Sequence, residues 1–106
     1  NNEDVVLFGK GEEIRDHIHI DDLANIISKL ILRDFNGLIN IVSGFGVSFY
    51  KIAKYAILKS KSKINIKFLK RNGPMPHNGY RVFNNKKLKK ELNYYPKKII
   101  KTDFFN

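Results

Sequence analysis

The sequence predicts an α/β fold built from short strands and about three helices, and three observations carry that prediction. Short apolar runs or alternations occur at Val5–Phe8 and at Ile64, Ile66 and Phe68, the period of a strand. Apolar residues recur at helical spacing in Leu23, Ile26, Ile27, Leu30 and Ile31, and again in Phe49, Ile52, Ala53, Ala56 and Ile57. These segments interleave along the chain and are separated by glycine-, asparagine- or proline-bearing turns.

Taken in order, Val5–Phe8 reads as a strand that ends at the Gly9-Lys10-Gly11-Glu12 turn. Ile14, Ile18 and Ile20 share a parity, so residues 15–20 read as a second strand with one buried face. Asp21 or Asp22 is placed to cap the first helix, where a carboxylate accepts free amide hydrogens and suits the positive end of the dipole. Asn36-Gly37 is its expected stop. Residues 38–42 read as another strand, and Ser43-Gly44-Phe45-Gly46 as a loop. Ser48 is a good N-cap for the second helix, which frays through the lysines and serines of residues 59–63. After the Ile64–Phe68 alternation, Gly73, Pro74, Pro76 and Gly79 make residues 70–79 a loop. Residues 80–83 form a brief strand. Asn84 or Asn85 then caps a short helix over Lys86–Leu92, with Leu88 and Leu92 facing inward and Asn93-Tyr94-Tyr95-Pro96 closing it.

A chain of 106 residues is one small domain or a piece of a larger one. It contains no cysteine, which removes disulfides and thiolate metal sites and fits a cytoplasmic location. No apolar run approaches the ~18 residues that cross a membrane, and the start has no secretory pattern. Without an initiator Met, the chain is expected to belong to a longer gene product. Charge is uneven: residues 1–50 hold four Lys/Arg and eight Asp/Glu, residues 51–106 sixteen and two. Such asymmetry fits either solvated surface lysines or a basic module for nucleic acid or another polyanion. The second reading lacks a nucleic-acid motif or a stacking platform to support it.

The most informative stretch is Arg15-Asp16-His17-Ile18-His19-Ile20-Asp21-Asp22-Leu23-Ala24. A guanidinium at a strand start, just after a glycine turn, can grip phosphate oxygens with a planar fork of donors. The plainer alternative is a surface Arg15–Asp16 pair beside a capped helix. The pattern Gly9-x-Gly11-x-x-x-Arg15-Asp16-x-x-His19-x-Asp21-Asp22-Leu23-Ala24 resembles a segment of the extended short-chain dehydrogenase/reductases that act on nucleotide sugars, the NAD-dependent epimerases and dehydratases. Asn40-Ile41-Val42-Ser43-Gly44 followed by Ser48 looks like the family's strand, glycine loop and helix start. Lys87-Leu88-x-x-Glu91-Leu92-Asn93-Tyr94-x-Pro96 looks like its closing helix, with Asn93 in place of the usual Gly and Tyr94 in place of the usual Trp.

That resemblance implies that residues 1–106 are the carboxy-terminal, substrate-binding portion of such an enzyme, with a Rossmann core and its NAD(P) site supplied by an amino-terminal portion outside the chain. It implies that Arg15 contacts the nucleotide diphosphate, with Arg71 and Arg81 as equal candidates for a second phosphate contact, and that Asn84 stands at a usual aspartate. The family's glycine-rich dinucleotide turn has no counterpart here, since Gly9-x-Gly11 is too short and opens no helix. Tyr50-x-x-x-Lys54 matches the spacing of the family's catalytic pair but falls in the wrong part of the family order and reads as coincidence. No catalytic, cofactor-binding or metal-ligating residue is therefore assigned, and the chain alone is expected to bind NAD poorly and turn over nothing. His17 and His19 lack a third ligand nearby, so His19 reads as a packed residue and His77 as a solvent or substrate contact. Expected partners are a nucleotide sugar, the Rossmann portion and a second copy of the chain. Self-association is expected because strands meant to pair elsewhere would leave open edges.

Overall fold

The computed structural model describes residues 3–93, which divide into two compact units. The first comprises residues 3–15 and 46–81, the second residues 16–45 and 82–93.

In the first unit β1 (Val5–Phe8) lies parallel to β4 (Ile66–Leu69), in the register Val5↔Ile66 to Phe8↔Leu69. A second small sheet has the order β3-β2-β5, from Gly46–Ser48, Ile14–Asp16 and Tyr80–Arg81. Its β2–β5 pair is parallel and sets Ile14 against Tyr80 and Arg15 against Arg81. Helix α2 (Phe49–Ser60) begins as its sequence predicts, with the Ser48 hydroxyl accepting from Lys51 N. Two more of its first amides are taken by the preceding turn: Phe49 N donates to Glu13 O at 3.1 Å and Tyr50 N to Gly11 O at 2.9 Å. Three of the four amides a helix start leaves unpaired are thus satisfied by the protein itself. Gly11 makes this approach possible. Its φ is +65°, and a Cβ there would stand 2.7 Å from Leu7 Cδ1 and 3.1 Å from Tyr50 N. The helix ends on a left-handed Lys61, with Ser62 N bonded to Ile57 O and Lys61 N to Leu58 O. The loop after β4 contains a single 3₁₀ turn, Pro76–Gly79, with His77 and Asn78 left-handed.

In the second unit α1 (Ile20–Leu32) packs against α3 (Lys86–Leu92) through Ile26, Leu88 and Leu92, with Ile18, Leu30, Ile39 and Ile41 around them. The α3 stop is as read from sequence: Asn93 is left-handed and its amide donates to Lys89 O at 2.8 Å. Tyr94 and Pro96 lie outside the described residues.

Several expectations are corrected here. The strand read over residues 15–20 stops at Asp16. His19 caps α1 instead of Asp21 or Asp22, its Nδ1 accepting Asp21 N at 3.0 Å. The cap starts the helix at Ile20, which is 67 % exposed, while Asp21 and Asp22 fall in the first turn. The helix also ends before Asn36-Gly37. Asp34 takes the left-handed conformation, and Asp34 N and Phe35 N return to Ile31 O and Leu30 O, so the last carbonyls are satisfied without glycine. Residues 38–42 form no strand. Leu38 is 87 % exposed while Ile39 and Ile41 meet the core, so the alternation reports burial, and among the described residues no strand pairs with it.

Two outcomes follow for stability. Leu88 is fully buried in the α1–α3 contact, so Leu88→Ala should cost about 2–5 kcal/mol in urea unfolding. Asp4 accepts from Lys67 Nζ at 2.9 Å, and that bond holds the Asp4 carboxyl below the usual aspartate range and the Lys67 ammonium above the usual lysine range. Because the Asp4 value is depressed, the pair contributes at neutral pH and its contribution disappears as acidification carries Asp4 through its lowered pKa. An NMR titration should place the Asp4 midpoint below that of an ordinary aspartate, and Lys67→Ala should raise it.

Candidate functional site

All of the arginines singled out by the sequence lie in the first unit. Arg15 sits on β2, Arg71 on the loop after β4 and Arg81 on β5. Parallel register makes Arg15 and Arg81 neighbours across two strands. A residue without a sequence assignment joins Arg15 to Arg71. Glu13, only 8 % exposed, accepts from Arg71 Nη1 in a close bond and from Arg15 Nη2 at 3.3 Å. Burial of a carboxylate is costly unless it is paired, and here two guanidiniums pair it. Strand parity could have found it, because residues 13 and 15 are two apart and share a face.

The remaining contacts orient each guanidinium. Arg15 Nη1 donates to Ile14 O at 2.9 Å and Nη2 to Pro76 O at 3.3 Å, and its guanidinium carbon lies 5.8 Å from the centre of the Phe49 ring. Arg71 Nη2 donates to Phe8 O at 3.3 Å and lies 3.9 Å from Glu12 Oε1. Backbone amides of Glu12 itself and Lys10, followed by the Arg71 charge, hold the Glu12 carboxyl below the usual glutamate range. Arg81 Nη1 donates to His77 Nε2 at 2.9 Å, which places the proton of a neutral His77 on Nδ1. His77, read from sequence as a solvent or substrate contact, is thus a partner of Arg81. Glu13, Arg71, Phe49, Leu7 and Phe8 help line a cavity of about 120 Å³. That is well below the roughly 300–1,000 Å³ that encloses a small organic ligand.

Arg15 does not pair with Asp16, because consecutive strand residues point to opposite faces. Asp16 serves the second unit. Its carboxylate accepts from Ser43 N at 2.8 Å, Ser43 Oγ at 2.7 Å and Gly44 N at 2.9 Å. Asn85 Nδ2 donates to Ser43 O at 3.0 Å, and a Cβ on Gly44 would stand 2.4 Å from that nitrogen. Asn84 Oδ1 accepts from Lys86 N at 2.7 Å, so Asn84 performs the capping bond while Asn85 braces the 43–44 loop. Tyr50 and Lys54 lie on α2 with the ammonium 5.6 Å from the ring centre. Among the described residues no group of three or more His, Cys, Asp or Glu is placed to hold a metal ion, and no helix is long and apolar enough to cross a membrane.

Residues 1–42 match the model of the NAD dependent epimerase/dehydratase family. No curated protein sequence matches the chain. Among solved structures it is similar to a UDP-N-acetylglucosamine 4-epimerase from Methanobrevibacter ruminantium M1 in complex with UDP-N-acetylmuramic acid, at 23 % identity and a TM-score of 0.73 over 89 % of this chain and 29 % of that one. A dTDP-glucose 4,6-dehydratase from Bacillus anthracis str. Ames in complex with NAD gives 21 % identity and 0.71, over 90 % and 30 %. Pal from Bacillus thuringiensis gives 25 % and 0.64, over 91 % and 30 %. These likenesses show the fold, and the chain spans about 30 % of the length of each of these structures.

The Asp16 network is open to a direct check. Asp16→Ala would strand the backbone amides of Ser43 and Gly44, while the Ser43 hydroxyl keeps Phe45 O, and should cost at least about 2 kcal/mol of stability, since each unsatisfied donor costs roughly 1–3 kcal/mol. Asp16→Asn, which keeps one acceptor oxygen, should cost less. Equal midpoints for wild type and Asp16→Ala in urea unfolding would refute the role.

Proposed function

We propose, from the match of residues 1–42 to the NAD dependent epimerase/dehydratase family, that residues 1–106 form the carboxy-terminal, sugar-nucleotide-binding portion of such an enzyme. Oxidation of a sugar hydroxyl to a ketone by NAD, and return of the hydride after epimerisation or dehydration, belong in this reading to a Rossmann portion outside these residues. The matched solved proteins support it in kind: one holds a UDP-linked sugar acid and another holds NAD. The family signature carries the function, and one geometric observation carries the site. Arg15 and Arg71, from separate segments, meet at one buried carboxylate, and Arg81 lies in register beside Arg15. A diphosphate carries dense negative charge on flat arrays of oxygens, and guanidinium forks match that array bidentately. Arg15 is the central anchor, flanked by Arg71 and Arg81.

Hydrogen bonds to charged groups contribute about 1.5–3 kcal/mol each, or roughly ten- to hundredfold in affinity. In the full-length enzyme Arg15→Ala should therefore weaken binding of a UDP- or dTDP-sugar at least tenfold by calorimetry, while NAD affinity stays within twofold. Unchanged sugar-nucleotide affinity would sink the assignment. Sub-micromolar binding of duplex DNA that weakens steeply with salt would favour a polyanion-binding module instead.

A further inference from the structure

We infer that Glu13 is a positioning residue, whose buried carboxylate holds Arg15 and Arg71 side by side as one diphosphate-binding pair. The inference rests on the sugar-nucleotide reading of this site and adds to it the residue that assembles it.

Two guanidiniums of like charge repel, and in a partly desolvated corner the repulsion is far stronger than in water. Arg15 and Arg71 nevertheless converge, with side chains only 17 % and 18 % exposed. Glu13 is what they share: Arg15 Nη2 and Arg71 Nη1 both donate to its carboxylate, one to each oxygen. Glu12, 3.9 Å from Arg71, balances the second guanidinium, and Arg81, in register beside Arg15, restores a net charge of +1 (three guanidiniums against two carboxylates), so the corner stays attractive to an anion after the repulsion is cancelled.

A carboxylate beside a phosphate site could instead be a placeholder that the ligand must push aside. The backbone argues against that role. Glu13 O accepts from Phe49 N at the start of α2, so the main chain is pinned, and the side chain forms part of a cavity wall. Moving the carboxylate out would leave Arg71 without its closest partner. Arg71 otherwise has a 3.3 Å bond to Phe8 O and a 3.9 Å approach to the more exposed Glu12. Arg15 is held independently by Ile14 O, Pro76 O and the Phe49 ring. Loss of the Glu13 charge should therefore release Arg71 more than Arg15. The placeholder role predicts the opposite sign for the same substitution, since removing a competing anion tightens binding.

The test measures dissociation constants of UDP and dTDP, with uridine and thymidine as phosphate-free controls, on the full chain. Glu13→Gln should weaken diphosphate binding at least fivefold and leave nucleoside binding within twofold. In an Arg71→Ala background the same substitution should change diphosphate binding less than twofold, a coupling that a general loss of packing would not produce. Equal effects in both backgrounds, or unchanged or tighter binding by Glu13→Gln, overturn the inference. If Arg15→Ala and Arg71→Ala both leave diphosphate binding untouched, the site reading fails and Glu13 falls with it. If they weaken binding and Glu13→Gln does not, only the role of Glu13 falls. Should Glu13→Gln lose its circular dichroism signature of folding, Glu13→Asp replaces it. That variant keeps the charge on a shorter stem and should weaken binding through the same dependence on Arg71, and wild-type affinity in it would overturn the inference.

Discussion

The first turn of α2 rests on the backbone of the glycine turn, and the geometry of the first unit follows from that contact. Amides of Phe49 and Tyr50 donate to the carbonyls of Glu13 and Gly11, and the Ser48 hydroxyl takes a third. A side chain at position 11 would collide with Leu7 and with Tyr50 N, so the contact requires glycine there. Once made, it locates Glu13, sets the Phe49 ring against the Arg15 guanidinium, and leaves the Arg71 loop to close on the same carboxylate. It also occupies the helix start, so three of the first amides of α2 are already paired within the protein and not open to an anion.

Charge in this corner is arranged to be attractive without being self-destructive. Each guanidinium is tied to protein carbonyls as well as to Glu13, which limits the freedom it would lose on gripping a ligand. Such pre-orientation suits a rigid planar fork better than it would a lysine, whose ammonium is a point charge on a flexible stem.

Adjacent residues of the Arg15-Asp16 pair divide their labour because a strand turns successive side chains to opposite faces. Arg15 joins the arginine–glutamate cluster, and Asp16 gathers three donors from Ser43 and Gly44 in the second unit. The bare backbone of Gly44 admits the Asn85 amide, which braces the same loop just before α3. Two adjacent residues of one motif thus serve two different contacts, the arginine–glutamate cluster and the 43–44 loop.

Local chemistry determined what the sequence could reveal by itself. The α/β class, all three helices, the Ser48 cap, the Asn93 stop and the inward Leu88 and Leu92 were legible because each depends on residues within one or two turns. The resemblance carried by Gly9 to Ala24 led to the family whose model matches residues 1–42. Other features were decided only by tertiary structure. Residues 38–42 alternate as a strand does, yet a strand needs a partner that no local pattern specifies. His19 could displace Asp21 as the cap because capping depends on the path by which the chain enters the helix, and Asp34 could stand where glycine was expected because two backbone bonds support it. Glu13 stayed hidden for the same reason: its importance lies in a contact with Arg71, far along the chain, and only folding brings the two together.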